Sequence, residues 1–406
     1  MLKRTCLRLL SETIEAFGKM AFVSGPRQVG KTTLAEEYRK QYSQGFYLNW
    51  DNLSHRKLLL KDPYFFEREN RDPELPFLLV FDEIHKYARW KNYLKGVYDT
   101  YRDEFRVLVT GSGRLDLFKK RGESLLGRYF NIPLFPLSVG ELSGVWNSWT
   151  QFASASKEPP EESKESRGHY EALLACSGFP EPYLRNSRSF YNRWFEERKT
   201  LLLREDIRDF SAIREISLLE HLSHLIPERT GGLLSLNSLK EDVGVAFETI
   251  RDWLVLLERF YYLFRVSPYA GSRSRTLRKE TKAYLYDWVE VDDEGSRFEN
   301  LIAVHLLKAV RTWQAMGEGE MDLRFIRDKE KREVDFVVLR KRIPVCLVEC
   351  KLSDTSLSPS LLFYQKNFSV PLAIQVVHTS GVCKKLRMER NTQWIISADR
   401  WLRALP

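Results

Sequence analysis

Apolar residues along this chain follow two rhythms. Short continuous runs, Met20-Ala21-Phe22-Val23 and Phe77-Leu78-Leu79-Val80-Phe81, fit strands buried on both faces, since a parallel strand covered by helices has no solvent side to leave polar. Pro76 stands only at the edge of the second run, where its missing N–H costs no ladder bond. Residues 46–50 and 105–109 read as two further strands. Between the runs the period lengthens to that of a helix: Leu7, Leu10, Ile14 and Phe17 share a face within residues 1–19, and residues 32–38 follow the first strand with a second helical pattern. This alternation predicts an α/β domain with a parallel sheet over residues 1–145.

The pattern then changes three times. Residues 146–168 turn to Ser, Glu, Lys and Pro, with Pro159-Pro160-Glu161-Glu162 at the centre, which predicts a solvated linker. Residues 169–235 are helical. Within 236–287, residues 238–243 and 246–260 read as two helices around Gly244, with Ile250, Leu254 and Leu257 on one face, followed by strands at 261–266 and 283–286. That order predicts a winged-helix-like segment, with a basic tip at 271–279 suited to a phosphate backbone; such segments also contact protein. Residues 288–406 return to strands, at 333–339, 345–351 and 373–377, which predicts a second α/β domain.

A length of 406 residues allows several such domains. Sixty-four Lys and Arg against 55 Asp and Glu give a net charge of +9, compatible with a nucleic-acid partner without establishing one. No apolar run is long enough to span a bilayer, and residues 1–8 lack a signal-peptide core, which predicts a cytoplasmic protein with no membrane partner. Five cysteines with no CxxC pair argue against a disulfide framework or a zinc site.

The densest chemistry lies at Gly25-Pro26-Arg27-Gln28-Val29-Gly30-Lys31-Thr32, two glycines followed by Lys and a hydroxyl residue between a strand and a helix. This is the spacing of a phosphate-binding loop, and Thr33 opens the helix with Thr32. The glycines would let backbone N–H groups turn around a phosphate, Lys31 would reach the outer phosphates, and Thr32 would hold Mg²⁺. These nine residues are the candidate ATP site. Asp82 and Glu83 end the second apolar strand; Asp82 would act on the Mg²⁺ side and Glu83 would orient or deprotonate the attacking water. Acids in that place also cap helices. Thr110-Gly111-Ser112-Gly113, after the strand at 105–109, would sense the terminal phosphate. Arg128, closing a helical stretch from Glu123, is a candidate arginine finger, which in trans would require a homo-oligomer, and is equally readable as a packing arginine.

Together the two nucleotide motifs, the strand ending in Thr-Gly-Ser, and Gly127-Arg128 followed by Ile132-Pro133-Leu134-Phe135-Pro136-Leu137-Ser138 resemble a large prokaryotic family of AAA-type ATPases whose C-terminal half is a domain of unknown function. The resemblance implies a helical lid, and it implies that Pro180, in Gly178-Phe179-Pro180, lies near the adenine. By sequence alone Pro180 is a helix break.

Farther along, a hairpin pairing Leu339 with Val345 would set Asp335 directly opposite Glu349. Two facing carboxylates repel unless a cation intervenes. Glu299 shares a helix face with Ile302 and Leu306, a costly place for a charge without a partner. The order Glu299, Asp335, Glu349-x-Lys351 resembles the PD-(D/E)XK nuclease superfamily, with a restriction-endonuclease-like fold. By that resemblance Asp335 and Glu349 would ligate Mg²⁺, Glu299 would support it, Lys351 would activate water, and Gln365 matches a polar position of such folds. The same residues also read as a solvated ion pair on a hairpin. Three functions follow as expectations: an ATPase coupled to handling DNA or a protein partner, an ATP-gated nuclease, or a nucleotide-dependent binding switch with a non-catalytic C-terminal domain.

Overall fold

The computed structural model describes residues 2, 4–111, 125–155, 158, 161–208, 215–269, 280–388 and 391–406. Ser112 and Gly113 of the expected phosphate sensor, Glu123 and Ser124 before Arg128, and the basic tip at 271–279 lie outside them. The chain divides into two compact units, Arg4–Phe135 and, apart from the first residues, Pro136–Pro406.

In the first unit the apolar runs form strands because neither face meets water. β1 (Met20–Ser24), β2 (Gln44–Asn49), β3 (Phe77–Asp82), β4 (Phe105–Gly111) and β5 (Tyr129–Pro133) make a five-stranded sheet in the order β2-β3-β4-β1-β5, and every pairing is parallel. All residues of β1 and β3 are buried. Phe22, Phe81, Phe105, Trp90 and Tyr93 share one aromatic-rich core. The expected helix at 1–19 is shorter, Leu7–Ser11, and passes into a π-helical turn, Glu12–Ala16. This unit is the α/β, P-loop-like sheet that the apolar pattern predicts.

Parallel register puts every strand's C-terminal end on one edge, where open α/β sheets bind ligands. Asn49 of β2 pairs with Asp82 of β3, Asp82 with Thr110 of β4, and Ser24 of β1 with Gly111. Four polar or small strand ends therefore stand side by side at the start of the loop.

The second unit joins segments that the sequence pattern divides. Helices Leu236–Val243 and Phe247–Arg259 flank Gly244, whose φ of 74° provides the left-handed helix end. β6 (Leu263–Pro268) and β7 (Lys282–Leu285) follow as an antiparallel hairpin. The hairpin is not a separate wing. Ser267 and Pro268 of β6 pair with Arg324 and Phe325 of β8 (Met321–Arg327). With β9 (Glu333–Arg340), β10 (Ile343–Lys351), β11 (Leu372–Val377), β12 (Cys383–Met388) and β13 (Asn391–Ser397), the hairpin completes an eight-stranded mixed sheet, β12-β13-β11-β10-β9-β8-β6-β7. Helix Glu294–Ala315 starts on Asp293, whose Oδ2 accepts from Ser296 N at 2.8 Å, and packs on β7 and β8. Two buried bonds anchor it to the start of the unit: Lys308 Nζ lies 2.6 Å from Glu141 Oε2, and Val139 N donates to His305 Nε2 at 3.3 Å. No described helix is long and apolar enough to cross a membrane.

Candidate functional site

The loop between β1 and helix Lys31–Arg39 owes its shape to a few positions. Gly25 has room for no side chain, since a Cβ there would run into the Leu134 carbonyl oxygen. Its role is this close approach, not the unusual backbone freedom its type allows. The left-handed positions are Gln28, at φ 63°, and Gly30, at φ 99°, and this alternation of hand turns successive N–H groups into a concavity suited to an anion. Lys31, buried, bends over the loop and donates to the Gly25 carbonyl at 3.0 Å and the Pro26 carbonyl at 2.7 Å. Its ammonium thus stands at the mouth of a ring of N–H donors, at the positive end of a helix.

Asp82 is the hub of the strand-end row. Its Oδ2 accepts from Thr32 Oγ1 at 3.0 Å, from Asn49 Nδ2 at 3.3 Å and from the Tyr47 hydroxyl, while Oδ1 accepts from the Thr110 hydroxyl. Four donors hold one buried carboxylate in a single orientation beside the loop. Desolvation and the charge of Asp82 push the Tyr47 hydroxyl above its ordinary pKa, so it stays a donor. Glu83 then turns left-handed, at φ 54°, with its N–H on the Thr110 carbonyl at 2.9 Å; a non-glycine residue in that region is strained and needs surrounding structure to hold it. Burial raises the Glu83 carboxyl above its usual range, against the opposing pull of Lys31. His85 Nε2 stands 3.4 Å from Glu83 Oε2, and burial lowers the imidazole to about 4, so the ring is neutral near pH 7. A carboxylate of raised basicity, oriented beside a phosphate-binding loop, suits proton acceptance.

One expected member, Arg128, is not brought to this edge. Arg128 directly precedes β5, and Met20, the first residue of β1, pairs with Tyr129. Arg128 therefore lies at the opposite end of the strands from the loop. It is paired in bidentate fashion with Asp99, Nε to Oδ1 at 2.6 Å and Nη2 to Oδ2 at 2.8 Å. A finger role in cis is excluded by that placement. Pro180 is the first residue of helix Pro180–Arg185, a position that needs no N–H, and belongs to the second unit rather than to the unit that holds the loop.

In the second unit, the β9–β10 ladder pairs Pro344 with Leu339, shifts at Val345, and resumes with Cys346 opposite Val338 and Val348 opposite Phe336. One residue farther, Asp335 faces Glu349 as the hairpin pattern suggests. The expected cation is present, but it belongs to the protein. Lys282, at the start of β7 and 1% exposed, places its ammonium 2.5 Å from Glu333 Oε1, 3.2 Å from Glu299 Oε1 and 3.6 Å from Asp335 Oδ1. Glu299 also accepts from the Tyr284 hydroxyl at 2.6 Å, and Asp335 Oδ2 accepts from Cys350 N at 2.8 Å. Glu349 Oε1 pairs with Lys351 Nζ at 3.0 Å. Burial and the charge of Asp335 lift both Glu299 and Glu349 to about 7. Among the described residues no group of His, Cys, Asp and Glu side chains is arranged to hold a metal ion. Mg²⁺ is expected on Asp335 and Glu349; beside that pair, three carboxylates surround a buried ammonium. Gln365 is likewise internal, its Oε1 accepting from Gln393 Nε2 at 2.6 Å and its Nε2 donating to the Thr392 carbonyl at 3.2 Å.

Sequence reasoning missed Tyr47, Asn49, His85, Lys282 and Glu333. For Lys282 a signal existed: it alternates with Tyr284 on a strand otherwise made of buried residues, and a lysine on such a face needs carboxylate partners.

Comparison with known proteins also divides the chain into parts. Residues 18–143 match a family model described as an AAA domain, whereas residues 167–288 and 294–397 match two models described as domains of unknown function. An uncharacterized protein of Haemophilus influenzae is 21% identical over 373 residues, covering 85% of this chain and 86% of the relative. One from Methanocaldococcus jannaschii is 22% identical over 355 residues, covering 75% and 72%. Among solved structures, a signal transduction ATPase with numerous domains and a tetratricopeptide repeat sensor, from Pyrococcus horikoshii, aligns at 15% identity and a TM-score of 0.28, over 77% of this chain and 47% of that one. The Hsp104–ADP complex of S. cerevisiae aligns at 13% identity and a TM-score of 0.30, over 63% and 37%. The chain thus spans about half, or less, of each of those two structures.

Proposed function

We propose that the unit Arg4–Phe135 binds and hydrolyses ATP with Mg²⁺, and that the unit Pro136–Pro406 is a non-catalytic module that engages DNA or a protein partner. The observation that carries the first part is the convergence of Lys31, Thr32, Asp82 and Glu83 on one loop at one sheet edge. The donor set fits the ligand: a concavity of N–H groups and a buried ammonium favour a polyphosphate, and a hydroxyl 3.0 Å from a fixed carboxylate is hard-oxygen chemistry suited to Mg²⁺. Thr32 and Asp82 would hold the ion, which when bound would neutralise charge on the phosphates. Lys31 would exchange its two loop carbonyls for phosphate oxygens. Glu83 would orient water and take its proton at a carboxylate oxygen, with Thr110 and Asn49 keeping Asp82 in place beside it.

The second part rests on Lys282. Its ammonium supplies the positive charge that a nuclease would reserve for a metal, which favours the non-catalytic reading over cleavage. Equilibrium titration with a fluorescent ATP analogue tests the nucleotide site. Binding should be tighter with Mg²⁺ than with EDTA, and Asp82→Asn should weaken the Mg²⁺-dependent part by about tenfold or more. Equal affinity with and without Mg²⁺ in the parent protein would contradict the assignment of Thr32 and Asp82. Retention assays with duplex DNA, single-stranded DNA and ATP then separate a nucleic-acid partner from a protein one.

A further inference from the structure

Arg4 has no part in the chemistry above, yet it is 8% exposed and its guanidinium joins two distant carbonyls. Nη1 donates to the Val29 carbonyl at 2.9 Å, and Nη2 donates to the Phe135 carbonyl at 2.5 Å. Val29 lies within the phosphate-binding loop, between the left-handed Gln28 and Gly30. A backbone that turns N–H groups toward an anion turns carbonyls outward, and Arg4 holds one such carbonyl from outside the loop.

The other end of the fork grips the last residue of the unit. Leu134, beside Phe135, donates its N–H to the Ser24 carbonyl at 2.8 Å and sets its own carbonyl against Gly25. Past the boundary, the chain is tied within its own unit. The Pro136 carbonyl accepts from Lys308 Nζ at 3.2 Å, Leu137 N donates to the Gly178 carbonyl at 2.7 Å, and Glu141 pairs with Lys308.

We propose that Arg4 is a positioning residue that couples the state of the phosphate-binding loop to Phe135, and along the chain to the segment 136–141 that follows it. The planar fork of arginine spans two acceptors at fixed geometry, which a lysine cannot do. When Lys31 leaves the Gly25 and Pro26 carbonyls for a phosphate, the loop backbone is reset, and the Val29 carbonyl carries that change to Phe135. Coupling of this kind needs a discrete link that both sites bias, and the Arg4 fork is such a link. The inference rests on the nucleotide reading of the loop.

Hydrogen–deuterium exchange of the full chain, with and without Mg²⁺ and the non-hydrolysable analogue adenylyl imidodiphosphate, tests it. In the parent protein the analogue should slow exchange both in peptides covering 25–33 and in peptides covering 134–142, by about fivefold or more in each. In Arg4→Lys the loop peptides should still respond while the response at 134–142 is lost; Arg4→Ala should do the same and serves as a second variant. An equal response at 134–142 in parent and variants, or none in the parent while its loop peptides respond, overturns the coupling and leaves the nucleotide site standing. No response of the loop peptides in the parent overturns both.

Discussion

Replacing Lys282 with Met should destabilise the protein by about 3–5 kcal/mol near pH 8, the usual cost of removing one partner from a buried ion pair. The loss should be large because Glu299, Glu333 and Asp335 all face that ammonium and are largely shielded from water, at 18%, 23% and 14% exposed. It should also depend on pH with a definite sign. Glu299 and Glu349 already sit at about 7 in the folded protein, above 4.5, and removal of the cation raises carboxylates further. A group whose folded pKa is raised contributes stability that is present below its unfolded value and lost as pH rises through the folded one. The deficit of Lys282→Met should therefore be small near pH 5 and grow through pH 7. Urea unfolding of the full chain at both ends of that range checks this. A deficit independent of pH would contradict the cluster's electrostatics. A parent protein strongly stabilised by Mn²⁺ in a manner that requires Asp335 and Glu349 would restore the metal reading.

Glu83→Gln should leave nucleotide affinity within a few-fold of the parent and lower ATP turnover by about 10²- to 10⁴-fold, the range for loss of a general base. The amide keeps the shape of the side chain and its left-handed backbone position, so folding is little disturbed. It cannot accept the proton. Phosphate release under saturating ATP, beside a binding isotherm for the same variant, separates the two effects. Turnover unchanged in Glu83→Gln would transfer the role elsewhere and leave Glu83 a helix-cap residue, the other reading of an acid at that place.

How much of this was legible depended on distance along the chain. The loop is local: spacing, strand and helix all fall within about twenty residues, and the structure keeps them together. The strand ends at Asp82 and Thr110 were legible because continuous apolar runs mark buried parallel strands, whose ends share an edge. The place of Arg128 is not legible because strand order and register are not written in any one segment; only the pairing of Met20 with Tyr129 shows that it stands at the far end of the strands. In the second unit, the facing of Asp335 and Glu349 followed from hairpin periodicity even across the shift at Val345. Lys282 did not, because it reaches the cluster through β6 and its contact with β8, a pairing between segments more than fifty residues apart. The facing carboxylates point to a metal ion, whereas the Lys282 ammonium beside Asp335 is visible only in the tertiary structure. Glu333 escaped for the same reason. It reads as the polar start of a strand until Lys282 and Arg327, both within 2.7 Å of its carboxylate, are seen around it.

As proposed, the loop at Gly25 to Thr32 serves ATP hydrolysis. The most direct measurement is phosphate release from ATP by the purified full chain with Mg²⁺, set beside Lys31→Ala. The parent should turn over ATP, and the variant should lose about 100-fold or more, the scale for removing a preorganised charge from a developing anion. Equal rates in parent and Lys31→Ala, or no release by the parent with any divalent ion, would contradict it.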